Sequence, residues 1–512
     1  MRQWCGPRAR EAARASRSVD HMTGDIDTRA RDTGDMDPEA YRQAARRVAD
    51  WTADYLRDIE GFPVLSQATP GSVRSALPGS PPTQSEPIDA VLADVDALLV
   101  PATTHWQSPG FMAYFASTGS APGILGETLA AAFNVNAMLW RTAPAATELE
   151  QVTLDWLRQM VGLPQPLFGV INDTASSSTL YALAAAREAQ TDLRIRELGM
   201  IGRPELPRLR YYASTEAHSS VEKAGIVLGV GRDGLRRIPV DERFRMDPVA
   251  LRQAIHEDLT AGIRPFAVVA TAGTTSTTSV DPIPAIAALC EQNDLWLHVD
   301  AAYGGAAAIV PELRWVLDGA ERADSIVVNP HKWLFTPIDC SVLWTRRPDV
   351  LRDAFSIVPE YLASTDGSEQ DAPNLMDYGT SLGRRMRALK LWMVIRHFGT
   401  DALAQRIREH CEYAWTLARW VDAERDFELL APAPLSVVCL RAHPPGLDDP
   451  GTLDSLNQRV LERINSAGRF FVSHTKLRGA FAIRVAFGNL RQDQRHLRGI
   501  IAALRGAIDD VG

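Results

Sequence analysis

From about residue 119 to residue 387 the sequence alternates helical stretches with short β-branched runs, and this alternation restricts the fold more than any other feature. Residues 209–212, 266–270, 296–299 and 325–328 are such runs. The pattern predicts an α/β fold with a mostly parallel sheet and crossover helices. Ligands of such sheets bind beyond the carboxyl ends of the strands. The residues that follow each run are therefore the candidates for chemistry.

The run at 325–328 leads into Asn329-Pro330-His331-Lys332-Trp333. Lysine is rare in this chain: of 54 basic residues only Lys223, Lys332, Lys390 and Lys476 are lysine. Arginine meets most needs for positive charge, but its guanidinium stays protonated and cannot act as a carbonyl-reactive amine. An amine at the end of a buried strand, hemmed in by Trp333, Leu334 and Phe335, should have a lowered pKa, which suits a Schiff-base nucleophile. The ordinary alternative is a snorkelling or ion-paired lysine, and the residues after the other strands decide between the two.

Asp300 ends the apolar run in LWLHVD. A carboxylate there can hold a pyridinium N–H and keep the ring an electron sink, and a flat ring could lie against the methyl of Ala302. His218 precedes Ser219 and Glu222, a capping-box spacing that places it just outside a helix start. Its ring could stack on an aromatic cofactor and shuttle a proton. Thr174-Ala175-Ser176-Ser177-Ser178 opens an Ala-rich helix, where backbone N–H groups and small hydroxyls can receive a phosphate. Asn329 and His331 offer further donors. No Walker-type Gly-Lys pair occurs, which argues against a nucleoside triphosphate. Each of these residues also has a plain reading as a cap or a satisfied core group. Together, a reactive lysine, a ring-nitrogen carboxylate, a ring stacker and a phosphate cradle describe pyridoxal 5'-phosphate.

The bulk numbers exclude other classes. The 512 residues are 46% hydrophobic and 23% charged, as in a soluble protein of two or three domains. A net charge of -9 argues against nucleic acid or an anionic membrane as partner, and no apolar stretch is long enough to span a bilayer. Five scattered cysteines form no CxxC and no zinc spacing. No metal is expected, and free thiols in a reducing, cytoplasmic compartment are.

Residues 1–35 read as a disordered extension, with Met22 or Met36 as the true start. Asp37-Pro38-Glu39 opens an amphipathic helix through about Ile59. The Pro/Gly/Ser-rich stretch from 61 to 87 cannot build a core alone and is expected to wrap around another body. Residues 356–381 are polar and turn-rich, the composition of a lid. A helix is expected over 384–398, and two strands near 470–476 and 481–487 joined at Arg478-Gly479. The expected division is an N-terminal helical, dimer-wrapping segment at 36–120, a large domain at 121–389 and a small α+β domain at 390–512.

Several strings carry a resemblance: THWQSPGFMAYF (104–115), DTASSSTL (173–180), ASTEAHSSVEKAG (213–225), HVDAAYGG (298–305), NPHKW (329–333) and SLGRRMRALKLW (381–392). They resemble the group II pyridoxal-phosphate decarboxylases, nearest to the aromatic L-amino-acid decarboxylases. The resemblance implies a fold type I, aminotransferase-like architecture and a homodimer that converts an L-amino acid to its amine and carbon dioxide. By motif, Lys332 would bind the cofactor covalently and Asp300 would face its ring nitrogen. His218 would stack on the ring, Ala175, Ser176, Asn329 and His331 would hold the phosphate, and Thr275 would lie near the cofactor oxygen. Tyr361 matches the loop tyrosine that protonates the substrate carbon. Family members that make aldehydes tend to lack that tyrosine or the stacking histidine; this chain has both. Trp106, Tyr114 and Phe115 match the wall of the aromatic pocket. Asp173 departs from the Gly of many relatives, and Ala116, Asn136 and Met138 depart around the pocket. Gly383 matches a position held by Gly in plant relatives that prefer indole and by Ser in those that prefer phenol.

Overall fold

The computed structural model describes residues 35–164, 167–357 and 373–511. In the larger sheet the strands are β1 (Phe168–Asn172), β2 (Leu209–Ser214), β3 (Leu235–Ile238), β4 (Arg264–Thr271), β5 (Trp296–Asp300), β6 (Ser325–Val328) and β7 (Ser341–Thr345). Their spatial order is β1-β7-β6-β5-β4-β2-β3. Strands β3, β2, β4, β5 and β6 are parallel. Only β7 runs against its neighbours β6 and β1. Two reversals restore the direction, so β1 points the same way as β6, and six carboxyl ends share one edge. The expected runs are all strands. The runs at β1, β3 and β7 escaped notice because FGVIN, LRRI and SVLWT are short and mixed in composition. Strands β5 to β7 are buried along their whole length, as expected where both faces of a sheet are covered.

A second, antiparallel sheet has four strands in the order β10-β11-β9-β8: β8 (Phe427–Leu429), β9 (Val437–Ala442), β10 (Ser473–Leu477) and β11 (Ala480–Ala486). Two were expected; β8 and β9 flank the Pro432 and Pro434 segment, which hides them. The hairpin β10–β11 turns at Arg478 and Gly479, whose φ values of 50° and 89° match the twist of the paired strands.

The helix Ala388–Ala423 is broken by the non-helical Gly399. As far as Cys411, across the break, it faces the core of the large sheet through residues such as Leu391, Val394 and Leu403, and from Tyr413 on it faces the core of the small sheet through Ala414, Leu417 and Val421. It starts four residues later than expected. The backbone of Arg384 is taken by Asn136, whose Oδ1 accepts its N–H at 2.9 Å, and by Ala137, whose N–H donates to its carbonyl at 2.9 Å. Within 356–381 the described part holds a short buried turn, Leu375–Tyr378; the remainder of that expected lid lies outside the described residues, as does the expected extension before residue 35.

Two compact units are distinguished: Met1–Tyr55 with Pro82–Ala93, and Leu56–Pro81 with Asp94–Gly512. In the first, the helix Pro38–Arg57 starts as the sequence predicts, with Asp37 Oδ1 accepting from the Glu39 N–H at 2.9 Å. Tyr41, Val48 and Trp51 are exposed on it. In the second, Val64 is buried beside Phe111, Ala113 and Ala116. The helix Ala121–Phe133 exposes Leu125, Leu129 and Phe133 at 59%, 46% and 61%, an apolar stripe at four-residue spacing. Among the described residues no helix is long and apolar enough to cross a membrane.

One buried ion pair fixes the approach to the long helix. Arg384 donates to Glu150 at 2.8 Å and to the Ile171 carbonyl at 2.9 Å, while Glu150 also accepts the Ile171 N–H at 2.8 Å. Both side chains are buried. Breaking such a pair leaves a lone buried charge, at a cost of about 3–5 kcal/mol. Arg384→Met should therefore lower the thermal unfolding midpoint sharply, and the double variant Glu150→Met with Arg384→Met should recover much of the loss. Equal midpoints for Arg384→Met and wild type would contradict this anchoring role.

Candidate active site

Strand β5 ends at Asp300, whose Oδ1 accepts the Ala302 N–H at 3.1 Å. Parallel to it, β6 ends at Val328 and passes through Asn329 into the single helical turn Pro330–Trp333, which carries Lys332. The proline suits the first helical position. Ala302 packs with Ala175 and Val327, so the start of the helix Ala175–Glu188, after β1, meets the ends of β5 and β6. Behind them His298 ties three elements together: Nδ1 bonds the Ser325 hydroxyl at 2.9 Å and Nε2 the Thr179 hydroxyl at 3.4 Å. The loop after β4 carries the exposed Thr275. Gly273 shapes that loop: at φ +97° a Cβ would lie 2.9 Å from the Gly304 nitrogen.

His218 follows β2. The expected capping box does not form, because Glu222 is drawn to Arg237 at 2.7 Å and to Arg232 at 2.5 Å. His218 itself is the N-cap of the helix Ser219–Val227, its Nδ1 accepting the Ser220 N–H at 3.2 Å. The Ser220 hydroxyl lies 2.8 Å from the same nitrogen. The neutral ring therefore carries its proton on Nε2. Burial pushes its pKa down, Asp300 raises it, and Lys332 and Lys223 lower it.

Burial also pushes the Lys332 amine below its ordinary value; Asp300 raises it and Arg484 lowers it. The amine lies 5.2 Å from the centroid of the Phe115 ring, and the Arg484 guanidinium 4.8 Å from the same centroid. Phe115 stacks on Tyr303 at 3.7 Å and Tyr303 on Trp333 at 4.5 Å. Trp333 Nε1 donates to His410 Nδ1 at 3.0 Å, and His410 Nε2 donates to the Asn489 carbonyl at 3.1 Å. Burial holds His410 neutral, with its pKa near 3.

Arg484 was not anticipated. It interrupts the apolar strand β11 between Ile483 and Val485, and a lone arginine in such a run was the available signal. It is buried; Nε donates to the Ser276 carbonyl at 3.1 Å and Nη1 to the Tyr114 carbonyl at 2.5 Å. Its Nη2 is buried without a partner, and no carboxylate pairs with it among the described residues.

The six expected pocket residues fall into two groups. Trp106, Tyr114 and Phe115 form one, with Trp106 and Tyr114 stacked at 6.1 Å and both exposed. Asn136, Met138 and Gly383 form the other. Asn136 Nδ2 lies 3.4 Å from the Met138 sulfur, and its Oδ1 holds the Arg384 N–H. Gly383 lines a cavity of about 320 Å³ together with Asn172, Asp173, Ser177 and Arg387, and a Cβ added to it would meet open space. No hydrogen bond or ring contact joins the two groups among the described residues. Tyr361 lies outside the described residues. A polar cavity bounded by Trp296, Asp324 and Arg347 sits at the amino ends of the strands, away from Lys332.

These residues fit pyridoxal 5'-phosphate. Ala175, Ala302 and Val327 offer a flat apolar floor. Asn329 Oδ1 is buried without a partner, and a half-turn of the amide would present a donor there. His331 Nδ1 accepts the Cys340 N–H at 2.9 Å, which leaves the Nε2 proton free to donate; burial lowers its pKa to about 4. Among the described residues no cluster with metal-ligand character occurs.

A family model described as "Pyridoxal-dependent decarboxylase conserved domain" matches residues 70–443. The chain is 40% identical over 478 residues to tryptophan decarboxylase 2 of Oryza sativa subsp. japonica, covering 92% of this chain and 95% of that protein. It is 40% identical over 474 residues to tyrosine decarboxylase 2 of Narcissus pseudonarcissus, covering 90% and 93%. A phenylacetaldehyde synthase of Arabidopsis thaliana is 39% identical over 471 residues, covering 90% and 94%. The crystal structure of Oryza sativa TDC with PLP and tryptamine superposes with a TM-score of 0.89 at 36% identity, over 93% of this chain and 99% of that one. With a lysine, a carboxylate and a histidine gathered on one sheet edge, and with this extent of similarity, the chain belongs to the pyridoxal-dependent decarboxylase family.

Proposed function

We propose that the chain decarboxylates aromatic L-amino acids to amines as a cytoplasmic homodimer. The observation that carries the reading is the meeting of Lys332, Phe115 and the unpaired Arg484 above the Asp300 strand end. Bound pyridoxal 5'-phosphate supplies the electron sink for the bond that breaks between the substrate α-carbon and its carboxylate. Lys332 offers the amine that holds the cofactor, kept nucleophilic by burial. Asp300 would hold the proton of the ring nitrogen, His218 would cover the ring, and Ala175, Ser176, Asn329 and His331 would take the phosphate, with Thr275 beside the cofactor oxygen. The free Nη2 of Arg484 suits the substrate carboxylate and can orient it for departure. Tyr361, with the Nε2 proton of His218, returns a proton to the α-carbon.

The exposed aromatic rings of Trp106 and Tyr114 support a flat substrate side chain. The two separate groups of pocket residues support a dimer in which each copy completes the other's site. The exposed stripe of Leu125, Leu129 and Phe133 supplies apolar surface for that association. The four described cysteines are free and buried, which supports a reducing compartment.

The test is a competition among tryptophan, tyrosine, phenylalanine, glutamate and valine, scored by kcat/KM, with amine, aldehyde and hydrogen peroxide measured together. Amine from an aromatic substrate is expected; a preferred acidic or aliphatic substrate, or aldehyde with peroxide as the main product, contradicts the reading. Lys332→Arg should be as inactive as Lys332→Ala despite keeping the charge. Arg484→Met should raise the KM for the amino acid by roughly 10- to 100-fold, the worth of a charge-assisted hydrogen bond. Inhibition by the product amine, which has no carboxylate, should stay within about threefold. Equal weakening of both ligands would assign Arg484 a general packing role instead.

A further inference from the structure

The Trp106 end of the aromatic wall is gripped by a short turn that follows the small sheet. After β11 the chain runs through Gly488-Asn489-Leu490-Arg491-Gln492 toward the helix Gln494–Val511. Asn489 and Gln492 are buried there. Asn489 Nδ2 donates to the carbonyls of Trp106 and Ser108 at 3.2 and 2.8 Å, and Oδ1 accepts the Arg491 N–H at 2.9 Å. A carbonyl only accepts and an N–H only donates, so the amide can face one way only. Gln492 Nε2 donates to the Pro109 carbonyl at 3.0 Å, and its Oε1 accepts the N–H groups of Gly488 and Asn489 at 2.9 and 3.0 Å. Arg491 Nη1 donates to Gln107 Oε1 at 3.0 Å. Consecutive residues 106–109 are thus held by the side chains of one turn.

The backbone of Asn489 reaches the other way. Its carbonyl accepts from His410 Nε2 at 3.1 Å, and His410 Nδ1 accepts from Trp333 Nε1 at 3.0 Å. An indole N–H can only donate, which fixes the imidazole proton on Nε2. Trp333 follows Lys332 in the same helical turn. One residue therefore reaches the amine-bearing turn through its carbonyl and the wall through its amide.

We infer that Asn489 is a positioning residue for substrate recognition: it fixes the Trp106 wall relative to the Lys332 turn, so that a flat side chain is received at a set distance from the amine. Gln492 supports it from the next carbonyl. The inference rests on the reading of Trp106 and Tyr114 as the surface that meets the substrate ring. Trp106 stacks on Phe111 at 4.2 Å and on Tyr114 at 6.1 Å, so a shift of its backbone moves an aromatic face. Just beyond, Gly110 and Met112 are fixed independently, by backbone hydrogen bonds with Phe471 at 3.0 and 2.8 Å. Loss of the Asn489 donors therefore frees the Trp106 end of the wall and leaves the rest in place. A small misplacement of a group that orients the substrate is enough to weaken recognition.

The test uses the full-length holoenzyme and the aromatic amino acid that it prefers. Asn489→Asp keeps the size of the side chain and the acceptor for Arg491, and it loses both donated bonds. It should raise KM about tenfold, the worth of one or two neutral hydrogen bonds, with kcat within about threefold. The Kd of the product amine, read by equilibrium dialysis, should rise with KM, because the amine keeps the ring. The Kd of pyridoxal 5'-phosphate for stripped protein should stay within about twofold, because none of the residues assigned to the cofactor is altered. Gln492→Glu loses only the donor to Pro109; it should shift KM and the amine Kd in the same direction by less, and it carries the test if Asn489→Asp does not fold. Trp106→Ala tests the wall itself and should raise KM. If Trp106→Ala raises KM and the turn variants do not, the inference about Asn489 is overturned and the wall stands. If the turn variants weaken pyridoxal 5'-phosphate as much as the substrate, Asn489 is a general packing residue and the inference is again overturned. If Trp106→Ala leaves KM unchanged, the wall is not the substrate surface and both ideas fall.

Discussion

Taking one amine out of water sets the terms for everything around it. Desolvation disfavours the charged ammonium of Lys332, Asp300 favours it, and Arg484 opposes it again. Two basic groups over one phenyl ring, with no carboxylate among the described residues joined to the arginine, is an arrangement that costs stability unless an anion completes it. Such a site is poised for a ligand that brings a carboxylate to the guanidinium and a carbonyl to the amine. The surrounding aromatic groups hold it in place. Phe115, Tyr303 and Trp333 stack in series, and the Trp333 indole is pinned through His410 to the Asn489 carbonyl. Rings locked in this way exclude water from the amine and keep its pKa low.

The sheet explains why residues so distant in sequence meet. With β1 pointing the same way as β6, the Ala175 helix start, Lys332, Asp300, the Thr275 loop and His218 all leave the same edge. The small sheet adds Arg484 from β11, whose hydrogen bonds reach the β4 loop at Ser276 and the aromatic wall at Tyr114. One arginine thus joins three parts of the chain around the amine. Elsewhere the long helix serves both hydrophobic cores, passing from one to the other between Cys411 and Tyr413, well beyond its break at Gly399.

Much of this was legible in the residues. The runs before Asp300 and Lys332 are continuous and apolar, and buried parallel strands look like that. The scarcity of lysine singled out Lys332, and the Asp37-Pro38 start of the first helix announced its own cap. What remained hidden has physical reasons. The order of strands is set by long-range pairing, which no local period records; β1, β3 and β7 are too short and mixed to stand out, and prolines between β8 and β9 mask that pair. Arg484 stands out because one of its nitrogens, Nη2, is buried without a partner, a property of the packed interior alone. The capping box at Ser219 failed because Arg232 and Arg237, distant in sequence, claim Glu222. The pocket residues looked like one set in the sequence and lie as two in the chain.

The central claim is that burial and Arg484 hold the Lys332 amine below the ordinary lysine value of 10.5. The direct measurement is the pH dependence of the rate at which cofactor-free protein couples to pyridoxal 5'-phosphate, trapped by borohydride and assigned to Lys332 by mass spectrometry. The account predicts a midpoint clearly below 10.5, shifted upward when Arg484 is replaced by methionine. A midpoint at or above that of an ordinary lysine, indifferent to Arg484, would contradict it.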